Sequence, residues 1–252
     1  MKDYELLCKL GCFTRKELAD IVGGNLRTAD SIIYFYQKKN LLLQIKQNLY
    51  VVKNITTNQS FLNIFEIASH VTPTAYISNH SAFEYYGMQN QVFNEVYVSS
   101  ETFFRPIIFE GKVIKHVKSY YSDGVEKIGK HIKVTDLERT VIDSIKNLST
   151  IGGLEELVKE LQMVNSLDFE KMKNYLEKYN NVFLYQKTGY FTELLKEQYY
   201  TPEDFTKFCM KNISKSIRTL DNEKNTEGLI YNKKWHLYVP ENIEEEIVNV
   251  QY

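Results

Sequence analysis

Arg27, Thr28 and Ser31 carry the most informative chemistry in this sequence. An arginine fork can bond guanine O6 and N7 together, and a good bidentate pair contributes about 1–3 kcal/mol of base discrimination. Threonine and serine hydroxyls bond several base edges. Asn25, Tyr34 and Lys38 are expected nearer the phosphates. Lys46, Gln47 and Asn48 form a polar tip between two apolar runs, placed to touch the backbone or an adjacent groove. Arg15 and Lys16 complete this set of candidate contacts to double-stranded DNA.

The elements that must hold these residues are legible nearby. Thr14 and Glu17 have the spacing of a capping box. Leu18, Ile21 and Val22 give one apolar helical face. Gly23 and Gly24 end that helix, because glycine takes positive φ without penalty. Asn25 is a good N-cap for a second helix. There Ala29, Ile32, Ile33 and Tyr36 fall inward, leaving Arg27, Thr28, Ser31, Tyr34 and Lys38 outside. Leu41 to Val52 then reads as a short β-ribbon. Helix, glycine turn, helix and ribbon describe a winged helix-turn-helix, in which the start of the second helix supplies the base contacts. The plainer alternative is a small helical domain with an ordinary hairpin.

Charge is unevenly distributed. Residues 1–60 hold nine Lys/Arg against five Asp/Glu, and the remainder hold 22 against 27. A basic N-terminal module on a weakly acidic chain fits a DNA reader fused to something else. It does not fit a protein that coats nucleic acid along its whole length. No apolar run is long enough to span a membrane, and Met-Lys-Asp-Tyr-Glu lacks the apolar region of a signal peptide, so a cytoplasmic location is expected. Cys8, Cys12 and Cys209 do not make a disulfide framework. Cys8 and Cys12 read as small buried side chains of the first helix.

The polar stretch Lys53 to Ser60 suggests a boundary, with a winged helix-turn-helix domain over 1–55 and a larger mixed domain over 56–252. In the latter, helices are predicted at Phe61–His70, Ser78–Tyr86 (capped by Ser78), Thr135–Ser144, Leu154–Met163, Asp168–Lys178, Tyr185–Gln198 and Pro202–Met210. Strands are predicted at Thr74–Ile77, Glu95–Ser99, Phe109–Val117, Lys130–Val134 and Lys234–Val239. Without regular βαβ alternation, the fold class is α+β.

Other residues invite chemistry and read more simply as structure. Thr135 to Asp143 holds Asp136, Glu138, Arg139 and Asp143. Glu138 is expected to close a capping box on Thr135, and Arg139 and Asp143 to pair at i, i+4 for roughly 0.2–0.5 kcal/mol. Ser78, His80 and Ser81 suggest a nucleophile and base, but no third group can be assigned to orient the base. Lys112, Lys115 and Lys118 crowd one strand, with Lys127, Lys130 and Lys133 soon after. Lys207, Lys211, Lys215 and Arg218 line one face if their helix runs on. These are candidate phosphate or partner surfaces set against ordinary solvated faces. No nucleotide fingerprint or zinc motif is present; no catalytic residue, metal ligand or cofactor is assigned.

Several ordered blocks carry a resemblance. They are Ala75-Tyr-Ile-Ser-Asn-His-Ser-Ala-Phe-Glu-Tyr-Tyr-Gly87, Val134-Thr-Asp-Leu-Glu-Arg-Thr-Val-Ile-Asp143, Gly153-Leu-Glu-Glu-Leu157, Lys187-Thr-Gly-Tyr-Phe191 and Trp235-His-Leu-Tyr-Val-Pro240. Behind an N-terminal winged helix, they make the chain resemble the AbiEi antitoxins of AbiE-type toxin–antitoxin and phage abortive-infection systems. That resemblance implies a type IV antitoxin whose N-terminal domain represses its own operon at promoter inverted repeats. It also implies a functional partner, an AbiEii-like nucleotidyltransferase toxin, counteracted by the C-terminal domain with or without direct contact. Relatives often have glycine at the wing tip, where this chain has Gln47-Asn-Leu-Tyr50; Asn48 tolerates the left-handed turn. Two other functions compete: a stand-alone winged-helix regulator with a ligand-sensing or dimerising domain, and an enzyme that modifies a partner protein or nucleic acid.

Overall fold

A computed structural model describes residues 2–221 and 226–243. The chain is α+β and divides into two compact units: residues 1–77 with 93–134, and residues 78–92 with 135–252. Residues 55 and 56, where composition suggests a boundary, lie inside the first unit.

The first unit opens with α1 (Lys2–Leu10), β1 (Cys12–Thr14), α2 (Arg15–Ile21) and α3 (Leu26–Lys38). The hairpin β2 (Leu42–Lys46) and β3 (Leu49–Val52) follows, and β1 pairs antiparallel with β3. Leu7, Phe13, Leu18, Ala29, Ile33, Tyr36 and Val52 pack into one core beneath these elements. Cys12 is buried in β1 rather than in the first helix, which ends at Leu10 ahead of Gly11 at φ 67°. A short helix α4 (Ile64–Ala68) comes next. It begins later than Phe61 because Asn63, not an earlier residue, forms the reciprocal cap with Glu66.

A six-stranded sheet completes this unit: β4 (Tyr76–Ile77), β5 (Glu95–Ser100), β6 (Ile107–Phe109), β7 (Lys112–Lys118), β8 (Val125–Ile128) and β9 (Ile132–Thr135), in the order β6-β7-β5-β4-β9-β8. The predicted single strand over Phe109–Val117 is two strands. Glu110 and Gly111, at φ 47° and 81°, turn the chain between them.

The second unit begins with α5 (His80–Tyr85) and continues with α6 (Leu137–Lys146), α7 (Leu154–Met163), α8 (Phe169–Tyr179), α9 (Val182–Leu194), α10 (Lys196–Tyr199) and α11 (Glu203–Lys211). A small sheet of β10 (Arg218–Thr219), β11 (Leu229–Asn232) and β12 (Leu237–Pro240) follows, in the order β10-β12-β11. Helix α9 is buried from Phe183 to Thr192, which explains its apolar composition. Asn181 caps it, so it starts before Tyr185, and Leu195 breaks it from α10.

Two capping expectations fail locally, and the helix after Thr201 starts without a side-chain cap. Ser78 does not cap α5; Asn79 stands at that position with φ 54°, and its Nδ2 donates to Ser78 Oγ. Asp136 caps α6, while the Thr135 hydroxyl meets Thr140 and Glu138 accepts from the Asp168 N–H at 2.9 Å. Thr201 is buried and donates to the Thr192 carbonyl, leaving Pro202 at the N-cap of α11.

Glu160 on α7 is fully buried beside Glu156, and burial, with that second carboxylate adding, pushes it up to about 9. Its native value exceeds the ordinary 4.5, so the native state holds the proton more tightly than the unfolded chain does. The resulting stability is fully present below 4.5 and is lost as pH rises through about 9. Urea denaturation in EDTA should show this decline, and Glu160→Gln should flatten it.

Candidate nucleic-acid interface

The candidate face is built on α2, α3 and the hairpin. Thr14 and Glu17 form the expected reciprocal cap: the Glu17 N–H donates to Thr14 Oγ1, and the Thr14 N–H donates to Glu17 Oε2 at 2.6 Å. Gly23 and Gly24 take φ 92° and 76°, and a Cβ on either would meet nothing within 4 Å. Glycine is required there by backbone conformation and not by space. The Asn25 side chain accepts from the Arg27 and Thr28 N–H groups, so its oxygen serves the cap.

Helix α3 buries Ala29, Ile33 and Tyr36. Ile32 is partly buried against the same core. Arg27, Thr28, Ser31, Tyr34 and Lys38 are all exposed, the first three at the start of the helix. The Ser31 hydroxyl donates to the Arg27 carbonyl one turn back. Lys38 lies over the Tyr34 ring, 4.7 Å from its centroid, which restrains two long side chains on one face.

Lys16 is exposed, but Arg15 is already engaged. Its Nε and Nη2 donate to the two carboxylate oxygens of Asp30, each at 2.5 Å. The pair links α2 to α3 and holds the Asp30 carboxyl below its ordinary range, chiefly through the hydrogen bond. Arg15 is therefore a clamp between the two helices and not a spare cation.

At the hairpin tip, Gln47 and Asn48 are exposed, and Asn48 takes φ 63° in the left-handed region. A register shift between Gln44 and Lys46 accompanies this turn. Lys46 is half-buried, and burial lowers its pKa. It borders a 590 Å³ cleft together with Asn48, His70, Lys127, Lys130 and Lys133. Lys130 donates to the Lys9 carbonyl and Lys133 to the Pro73 carbonyl. His131 also lines the cleft, with its Nδ1 3.4 Å from His70 Nε2. Burial, then the His70 and Lys130 charges, lower the His131 pKa. Sequence reasoning missed the two histidines as a pair, because no local spacing joins residues 70 and 131.

The other lysine groups are dispersed. Lys115 pairs with Glu95, Lys112 lies over the Phe65 ring and Lys118 over the Tyr120 ring. Helix α11 ends at Lys211, and Arg218 belongs to β10, so Lys207, Lys211, Lys215 and Arg218 do not share one helical face. Asn212 ends the helix as C-cap, and Lys207 pairs with Glu203.

No protein-family model and no curated protein matches this chain. The fold is similar to the crystal structure of RV2827C protein from Mycobacterium tuberculosis, with a TM-score of 0.63. The match covers 97% of this chain and 92% of that one, at 11% identity. An α+β architecture is shared. At that identity the likeness concerns fold alone, since one fold hosts many functions. Among the described residues, no helix is long and apolar enough to cross a membrane.

Proposed function

We propose that residues 1–55 form a winged helix-turn-helix that reads double-stranded operator DNA, and that the chain is an AbiEi-like antitoxin and autorepressor. Residues 56–252 would counteract a nucleotidyltransferase-like toxin. The observation that carries the DNA-reading half is the division of α3: Ala29, Ile33 and Tyr36 anchor it, while Arg27, Thr28 and Ser31 stand exposed at its start. That is the geometry by which a recognition helix offers its N-terminal residues to base edges. The antitoxin half rests on the ordered sequence blocks that resemble AbiEi proteins.

The hairpin tip and the lysine-bordered cleft supply a second kind of contact. Lys46 and Lys127 are suited to phosphate, which fixes register without reading sequence.

Gel-shift titration on the DNA upstream of the chain's own reading frame tests the proposal. Arg27→Ala should weaken binding by about 5- to 150-fold, the equivalent of about 1–3 kcal/mol. The same variant should still protect cells co-expressing a neighbouring nucleotidyltransferase-like gene. Unchanged affinity would remove α3 from the interface; failure of wild type to protect would remove the antitoxin assignment. Lys46→Gln and Lys127→Gln should weaken binding evenly across DNA sequences. Each should make the log affinity against log salt slope shallower by about 0.9.

A further inference from the structure

We propose that His80, Glu156 and Glu160 hold a divalent transition-metal ion inside the second unit, with zinc the best match to the donor set. His80 sits at the start of α5, and the two glutamates are one turn apart on α7. One ligand atom from each residue lies within 4.8 Å of the others. All three side chains are buried: His80 and Glu160 at 0% exposure, Glu156 at 4%.

The carboxylates are only half used by the protein. His80 Nδ1 lies 2.5 Å from Glu160 Oε1, and Asn90 Nδ2 donates to Glu156 Oε2 at 3.2 Å. Glu160 Oε2 and Glu156 Oε1 are buried and have no hydrogen-bond partner. Burying two acceptor oxygens without partners is costly, and the carboxylates lie one helical turn apart, where they repel whenever both are ionised. Helix α7 does not need this arrangement to be soluble, because Glu155 and Lys159 already form an ion pair on its surface. A divalent cation neutralises both carboxylates and occupies both idle oxygens.

The donor set selects among ions. One imidazole and two carboxylates match zinc, which takes nitrogen and oxygen ligands at about 2.0–2.2 Å. Closing the three atoms to the roughly 3.3–3.6 Å spacing of a tetrahedral site requires side-chain adjustments of order 1 Å. Calcium seeks six to eight oxygens and magnesium keeps several waters, so a buried cluster of three residues, one of them an imidazole, suits neither. The Asn90 contact would orient Glu156 as an outer-sphere hydrogen bond orients a metal ligand.

The test uses the full chain without an affinity tag, stripped with EDTA and dialysed. Zinc, cobalt and magnesium are each added while bound metal is measured by equilibrium dialysis and Tm by calorimetry. Wild type should take up one zinc per chain with a raised Tm, and cobalt should give the visible bands of a low-coordinate site. Magnesium at equal concentration should do neither. Glu160→Gln matches the shape of the protonated side chain and should fold normally in EDTA. It and Glu156→Gln should weaken zinc binding by at least about tenfold. Wild-type zinc uptake no greater than that of Glu160→Gln would overturn the assignment. So would a response abolished by His131→Ala, which would place the ion at the His70–His131 pair.

Discussion

Asp143→Ala should destabilise the protein by about 3–5 kcal/mol, measured as a lower urea midpoint with unchanged slope. Arg139 Nε donates to Asp143 Oδ1 at 2.8 Å, and the side chains are only 2% and 8% exposed. The Tyr179 hydroxyl donates to the same carboxylate oxygen, and the Arg139 guanidinium lies 5.4 Å from the centroid of that ring. Removing the carboxylate leaves a guanidinium that cannot shed its proton in a region with little water. The few tenths of a kcal/mol expected for an isolated i, i+4 pair do not apply, because that value belongs to a solvated helix. The double variant Arg139→Leu with Asp143→Leu should recover most of the loss, since it removes both charges together. If Asp143→Ala alone were neutral, water or other groups would have to satisfy the Arg139 guanidinium.

Gly189→Ala should cost about 1–3 kcal/mol, the range for overpacking a filled interior. A Cβ at Gly189 would overlap the six-membered ring of Trp235. That ring cannot retreat easily: Trp235 is fully buried, and its indole N–H donates to Glu193 Oε2 at 2.6 Å. Gln186 Nε2 donates to the Trp235 carbonyl at 3.0 Å, fixing the same residue from the other side. Trp235 is the chain's single tryptophan, so its fluorescence reports the site directly. A lower Tm with a red-shifted emission is the expected result. A variant as stable as wild type would mean that α9 can move away from the turn between β11 and β12 that carries Trp235.

These two sites show what could be read from the sequence and what could not. Lys187-Thr-Gly-Tyr-Phe191 and Trp235-His-Leu-Tyr-Val-Pro240 stood out as blocks, but their 46-residue separation hid that Gly189 and Trp235 touch. Local signals worked where the determinant is local. The Thr14–Glu17 cap, the paired glycines and the Asn25 cap define α2 and α3 because each acts within three residues. At α6 the same signal misled: Thr135 belongs to β9, and the cap passes to Asp136, whose other oxygen is held by Tyr175 from a distant helix. His80 lacked a partner in sequence because Glu160, which lies against its Nδ1, is 80 residues away. The Lys207 series failed for a boundary reason, as its spacing has meaning only within a helix that stops at Lys211.

The chain leaves the first unit after Ile77, returns at Phe93 and departs again after Val134. No single scission can therefore separate the two compact bodies. A protease nick near residue 55 would release the small three-stranded sheet with its helices, not an intact unit. Genetic exchange at one junction would part β4 from the other five strands of its sheet or orphan α5. Pairing a different α3 surface with the same companion body thus requires point substitutions within a shared scaffold and not the swapping of modules.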